Sequence, residues 1–405
     1  ANQSARQPPG SRNNPQAWVI LPPMSHVPRA LALASLLVLV GCGAAPVAPV
    51  TPPTTPPPVP TQEVPELVVS PYSEAELVHE FERGRELMLA GKIEQAAAVF
   101  DKLVRLAPDG QTAPPSLYNG GICHEDEGDL AAAIDRYREL AKRFPGHASA
   151  RPAAFRVMHL LAYSERWPEL VTSADEVLKL TDLTVIEKID ALGSRALGFV
   201  EQDKLDESER DVGKARDLIE DHRLGESGKP PVELMQVSFA LGEVRRLKSE
   251  KIAFSPLPPN FTEVLEQRCQ ALLDAQTAYT DAMRGYDAHW SAMAGYRVGQ
   301  LYQKLHGEVM QIPPTAQSKT LKQKQLFEAT MRLRYRILLE KGLKMMEGTV
   351  KLAERTGESS GWVARARDAK QDLEQSLSEE KAALAKMPFT EAEVREAMEK
   401  LKSKP

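Results

Sequence analysis

The residue types that could do chemistry are few, and their spacing decides what they can do. Gly357-Glu358-Ser359-Ser360-Gly361 has the letters G-x-S-x-G. A serine nucleophile in that setting needs a buried strand before it and a helix after it, so that a tight turn presents the hydroxyl. Here a charged helical run precedes it, and the match predicts no nucleophile. His79-Glu80 and His124-Glu125 begin an H-E-x-x-H pattern, but neither has a second histidine one turn on. Zinc needs both imidazoles on one helix face. The eight histidines are otherwise scattered, and neither a Walker A loop nor G-x-G-x-x-G occurs. The sequence therefore predicts no enzyme: no catalytic residues, no metal, no cofactor and no small-molecule substrate.

Three cysteines exclude a disulfide-rich scaffold. Cys123 and Cys269 lie far apart in sequence. In a stack where each repeat touches its neighbours, they are expected to be separate, partly buried thiols. Cys42 stands in a different setting. Met24 to Arg29 carry one positive charge, and Ala30 to Val40 are small or apolar apart from Ser35. That order matches a secretory signal peptide, and the apolar run falls short of the roughly 18 residues of a membrane span. Leu39-Val40-Gly41-Cys42 resembles the lipobox of bacterial lipoproteins. The resemblance implies cleavage before Cys42 and a covalent lipid on its sulfur. More than one acyl chain anchors stably where one is marginal. Position 43 is glycine, not the aspartate of inner-membrane retention. By resemblance the anchor is then in the outer membrane, with the protein on the periplasmic side.

The elements that follow must position everything else. Of 31 prolines in 405 residues, 16 fall in residues 1–71. Residues 43–71 hold ten of them, and proline removes a backbone donor and fixes φ. The stretch reads as a polyproline-II-like spacer, about 90 Å at full extension. Residues 1–23 read as an upstream extension or misassigned start, 24–41 as the signal peptide, and 42–72 as lipidated cysteine and linker. The formal charge of −5 argues against a dedicated nucleic-acid binder.

From Ser73 onward the apolar period is helical and nothing alternates with period two, so an all-α fold is predicted. Gly84, Gly91, Ala96, Phe100, Leu103 and Pro108 recur 37 positions later as Gly121, Gly128, Ala133, Tyr137, Leu140 and Pro145. This spacing resembles the tetratricopeptide repeat (TPR), in which small residues let two helices approach and an aromatic fills the gap between repeats. Segments 151–182 and 189–220 are weaker copies; the first has Met158 and Leu170 where small residues belong. The prediction is a superhelix of helical hairpins over 73–252. Longer TPR-like helices follow over 253–405, ending in a capping helix announced by Thr390-Glu391-Ala392-Glu393.

The TPR resemblance places a partner groove on the first helix of each repeat. It implies Phe81, Arg85 and Met88, then Tyr118, Ile122, Glu125 and Asp126, then Phe155, His159 and Tyr163, with Leu197 and Val200 from the fourth repeat. Such a groove could hold an extended or helical peptide by burying apolar anchors. The basic residues of the carboxylate-clamp subclass are missing. Charge is also segregated: residues 318–355 hold ten basic side chains against four glutamates, and residues 73–145 hold fourteen acidic against nine basic.

Together, the lipobox, the repeats, the Pro313-Pro314 loop and the Glu354-to-Trp362 segment are similar to TPR lipoproteins of gliding-motility and other envelope machines. That resemblance implies a scaffold binding envelope proteins through its groove and the membrane through acyl chains. A pilotin-like or outer-membrane-protein assembly factor is the first alternative. A peptidoglycan-associated enzyme or activator is the second.

Overall fold

The computed structural model describes residues 72–226, 230–314 and 318–402. The segment expected to be a signal peptide, with Leu39, Val40, Gly41 and Cys42, and the proline-rich residues 43–71 lie outside the described residues. What is described is all-α, with no strand among the described residues. The helices run in hairpins: α1 (Glu74–Leu89) with α2 (Ile93–Leu106), and α3 (Ala113–Glu127) with α4 (Leu130–Arg143). Next come α5 (Ala150–Tyr163) with α6 (Trp167–Leu178), and α7 (Val185–Val200) with α8 (Leu205–Asp221). Longer pairs follow, α9 (Glu233–Glu250) with α10 (Phe261–Met283) and α11 (Ala288–Met310) with α12 (Leu321–Thr356). Helices α13 (Gly361–Ala385) and α14 (Glu391–Lys402) complete the chain.

Local chemistry sets the helix ends. Ser73 and Glu76, Thr184 and Glu187, and Thr320 and Gln323 form capping boxes at the starts of α1, α7 and α12. In each, side chain and backbone satisfy one another's orphan groups. Thr390 and Glu393 make the same exchange before α14, at 3.3 Å and 2.7 Å.

The first four hairpins share one backbone device. Gly91, Gly128, Glu165 and Asp203 all have left-handed φ, from 57° to 81°. In every copy the next amide bonds back to the carbonyl five residues earlier: Lys92 to Leu87, Asp129 to His124, Arg166 to Leu161 and Lys204 to Phe199. This is the Schellman closure of a helix C-terminus. It recurs at steps of 37, 37 and 38 residues, so segment 151–182 is a repeat of the same kind as the others. Its Met158 and Leu170 are both fully buried, bulky residues serving at positions where glycine or alanine sits elsewhere.

The chain divides into two compact units, residues up to 129 with 139–151, and residues 130–138 with 152 onward. In the first, α1, α2 and α3 pack about Leu77, Ala96, Phe100, Leu103 and Cys123. Gly84 lets α1 approach: a Cβ there would stand 2.8 Å from the Phe100 ring. In the second, α7 packs on α6, α8 and α9, α9 on α10, and α11 on α12 and α13. Both Cys123 and Cys269 are free thiols. Burial pushes the Cys123 thiol up to about 12, with nearby acidic side chains adding to the shift.

Candidate partner groove

The groove residues read from the sequence meet different fates. In the first unit, Phe81 is half-buried with its ring centroid 5.6 Å from that of Phe100, and Met88 packs on the same core. Arg85 pairs with Glu82 at 2.7 Å. Tyr118 and Ile122 are buried and offer no surface to a partner, which corrects their place in the groove. The physical reason lies in α3, whose residues from Ser116 to Cys123 are all buried: this helix is interior around most of its circumference. Glu125 is half-buried and Asp126 exposed.

In the second unit, Leu197 and Val200 are likewise buried, and the same correction applies. Phe155 is half-buried. His159 Nε2 lies 2.8 Å from an Asp190 oxygen on α7. The imidazole keeps 48% of its surface exposed; desolvation works to lower its pKa, but the Asp190 carboxylate outweighs that and the net shift is upward. Tyr163 keeps part of its ring in solvent and stacks on His289 of α11, with centroids 4.5 Å apart.

That stack belongs to a larger closure. His289 Nδ1 faces Glu358 at 3.4 Å. Glu165, in the α5–α6 turn, receives two hydrogen bonds from the Arg365 guanidinium, at 2.5 Å and 3.1 Å, across 200 residues of sequence. Arg365 lies 3.9 Å from the Trp362 ring centroid and Arg297 lies 4.9 Å from it, so one indole faces two guanidinium groups. Such contacts attract a cation to the ring quadrupole.

Arg297 is held by Glu201 at 3.0 Å and by Glu243 at 2.7 Å. Glu243 also takes Arg246 at 2.6 Å and the Tyr279 hydroxyl at 2.6 Å. Burial would raise the Glu243 pKa, but Arg297 and Arg246 hold it below the usual carboxylate value. Phe239 on α9 meets Trp290 and Trp362, at 5.7 Å and 6.3 Å between centroids. The face that α5, α7 and α9 would turn to a peptide is therefore partly covered within this unit: α11 and the start of α13 reach the α5–α6 turn, the end of α7 and α9, while His159 and Tyr163 stay exposed. Sequence reasoning missed Glu165, Arg297, Trp362 and Arg365. A glutamate at the position where the first two repeats have glycine was the available signal.

A cavity of about 960 Å³ opens between the ends of α8 and α10 and the start of α9, with Arg216, Arg223 and Arg245 over Leu234 and Met235. None of the groove residues read from the sequence lines it. Among the described residues, no group of three or more His, Cys, Asp or Glu could hold a metal ion. No described helix is long and apolar enough to cross a membrane.

Residues 116–147 match the family model of the tetratricopeptide repeat. The chain carries a tetratricopeptide repeat. A comparison with the curated proteins finds no match. Among solved structures, the chain is similar to a tetratricopeptide repeat protein from Parabacteroides merdae, at 12% identity over 72% of this chain and 99% of that one, TM-score 0.37. A TPR repeats protein from Bacteroides fragilis is similar at 14% identity over 65% and 98%, TM-score 0.26. The assembly chaperone of RpL4 is similar at 14% identity over 78% and 100%, TM-score 0.36. Hairpin stacks of this kind act through extended surfaces offered to other proteins.

Proposed function

We propose that this protein is a lipid-anchored interaction scaffold of the cell envelope, held at the outer membrane through Cys42 and facing the periplasm. The observation that carries the scaffold reading is the recurrence of one hairpin turn at Gly91, Gly128, Glu165 and Asp203, which makes the body a stack of repeats. The anchor rests on the order of charged, apolar and lipobox residues up to Cys42. The proline-rich residues 43–71 would then set the stack off the bilayer. Envelope machines such as those of gliding motility need parts of this kind, and the resemblance to their TPR lipoproteins supports that setting.

The anchor is tested by Cys42→Ala. The expected result is loss of palmitate labelling and accumulation of an uncleaved precursor; full labelling of the variant rejects it. The scaffold is tested by photo-crosslinkers at the surface positions Asp126 and Tyr163. A stoichiometric crosslinked partner supports a scaffold. A trace of many client chains points instead to an assembly factor.

A further inference from the structure

Helix α12 uses its basic residues in two ways. Arg332 reaches Glu380 at 2.8 Å and Glu328 at 2.9 Å, while Arg336 reaches Glu340 at 3.2 Å. These two tie the helix down. Arg334, Lys341, Lys344, Lys351 and Arg355 are exposed, and none makes an ion pair among the described residues. Lys341 only overlies the Tyr302 ring at 5.4 Å, and Arg334 overlies Tyr335 at 5.5 Å. With Ile337, which is 48% exposed, and Gly348, they recur at steps of three and four residues. That spacing puts all seven positions on one side of the helix. The stripe runs about 32 Å from Arg334 to Arg355.

Gly348 is the second observation. A glycine inside a helix lowers its stability relative to alanine, and packing normally explains it. Gly342, on the same helix, is explained: a Cβ there would stand 3.2 Å from the Gly299 carbonyl oxygen. A Cβ at Gly348 would meet nothing within 4 Å. None of the described residues requires glycine there, and the same holds at Gly213 in α8 and Gly307 in α11; what sets Gly348 apart is that its opening falls within the cationic stripe, where it would admit the backbone of a close-lying partner.

We propose that this stripe is a docking strip for an acidic helix of a partner protein, its backbone close over Gly348 and its carboxylates facing Lys341, Lys344, Lys351 and Arg355. The proposal rests on the scaffold reading and gives it a surface. Unpaired cations, with the acids of α12 confined to one flank of the stripe, complement a row of carboxylates. Width decides between a helix and a membrane. Glu340, Glu347 and Glu354 recur every seven residues on the adjoining shoulder of α12. A flat anionic bilayer would meet that shoulder and be repelled. A second helix, with its axis about 8–10 Å away, touches the stripe alone.

The test uses the purified protein and two fluorescent helical peptides of identical composition. One carries glutamates at alternating three- and four-residue steps in an alanine-rich background; the other spreads them around the helix. The striped peptide is expected to bind about tenfold tighter than the spread one, a margin that anisotropy resolves. Lys344→Glu with Lys351→Glu should remove that preference. Gly348→Leu should remove it too, while thermal stability holds or rises, a combination that damage to the fold cannot give. Equal binding of the two peptides, or Gly348→Leu leaving the preference intact, overturns the proposal. Sedimentation with phosphatidylglycerol vesicles that is lost in the double charge variant but kept in Gly348→Leu also overturns it, and assigns the stripe to a membrane. Failure here with crosslinks retained at Asp126 and Tyr163 removes the strip alone; loss of both removes the scaffold reading.

Discussion

Glu165 carries two opposed demands on a single residue. Its φ of 57° lies in the left-handed region, where a residue with a Cβ is disfavoured by about 1–2 kcal/mol. The equivalent turns at 91 and 128 use glycine and avoid that strain. The carboxylate holds Arg365 in a bidentate pair, but both side chains keep about a third of their surface in solvent, at 33% and 37%. Pairs so exposed contribute about 0–1 kcal/mol. The two effects nearly cancel, so the substitutions should rank in an unusual order. Glu165→Gly relieves the strain and loses the pair, and is expected within about 0.5 kcal/mol of the parent. Glu165→Ala keeps the strain and loses the pair, and should be less stable by about 1 kcal/mol. Urea unfolding of the three proteins checks the order; an alanine variant as stable as the glycine variant refutes it.

At the scale of helices, the hairpins were legible where side chains carried the pattern. Gly84, Ala96 and Phe100 could be read because close packing admits small residues opposite a ring, and α2 shows that face buried. The third hairpin was harder because Met158 and Leu170 break the small-residue pattern, although its turn is the same. Turn geometry is a backbone property, and Glu165 betrays it only through its register with Gly91 and Gly128, not through its residue type. The groove was legible as a set of first-helix positions, but its covering was not. Residues 200 positions apart come together only through the summed rotation of several hairpins. Between α5 and α7, the pairing of His159 with Asp190 gives a signed prediction. The folded pKa of His159 is raised, so its stabilisation is fully present below the unfolded value near 6.5 and is lost as pH rises through the folded value. The drop in melting temperature caused by His159→Gln should therefore be larger at pH 5.5 than at pH 9. A drop that is constant across that range would show that the ion pair contributes nothing.

At the scale of the whole second unit, closure changes how it should come apart. Repeats that touch only their neighbours unfold piecemeal, because each interface can be lost without the next. Here the start of α13 bridges elements distant in sequence. Trp362 is 2% exposed and packs against Phe239 of α9 and Tyr296 of α11, while Arg365 beside it reaches the α5–α6 turn. Replacing Trp362 with alanine removes a large buried side chain and should cost about 3–5 kcal/mol. Where that loss is felt is the sharper question. If the bridge couples the unit, amide exchange should accelerate at Glu165 and Arg166, whose N–H groups bond to Ala162 and Leu161, as well as along α13. Faster exchange confined to α13 and α14 would mean that the hairpins unfold independently and that Glu165 and Arg365 merely touch. Cooperative loss would mean that closure makes one folding unit of the second body and fixes the outer stripe of α12 as a rigid surface.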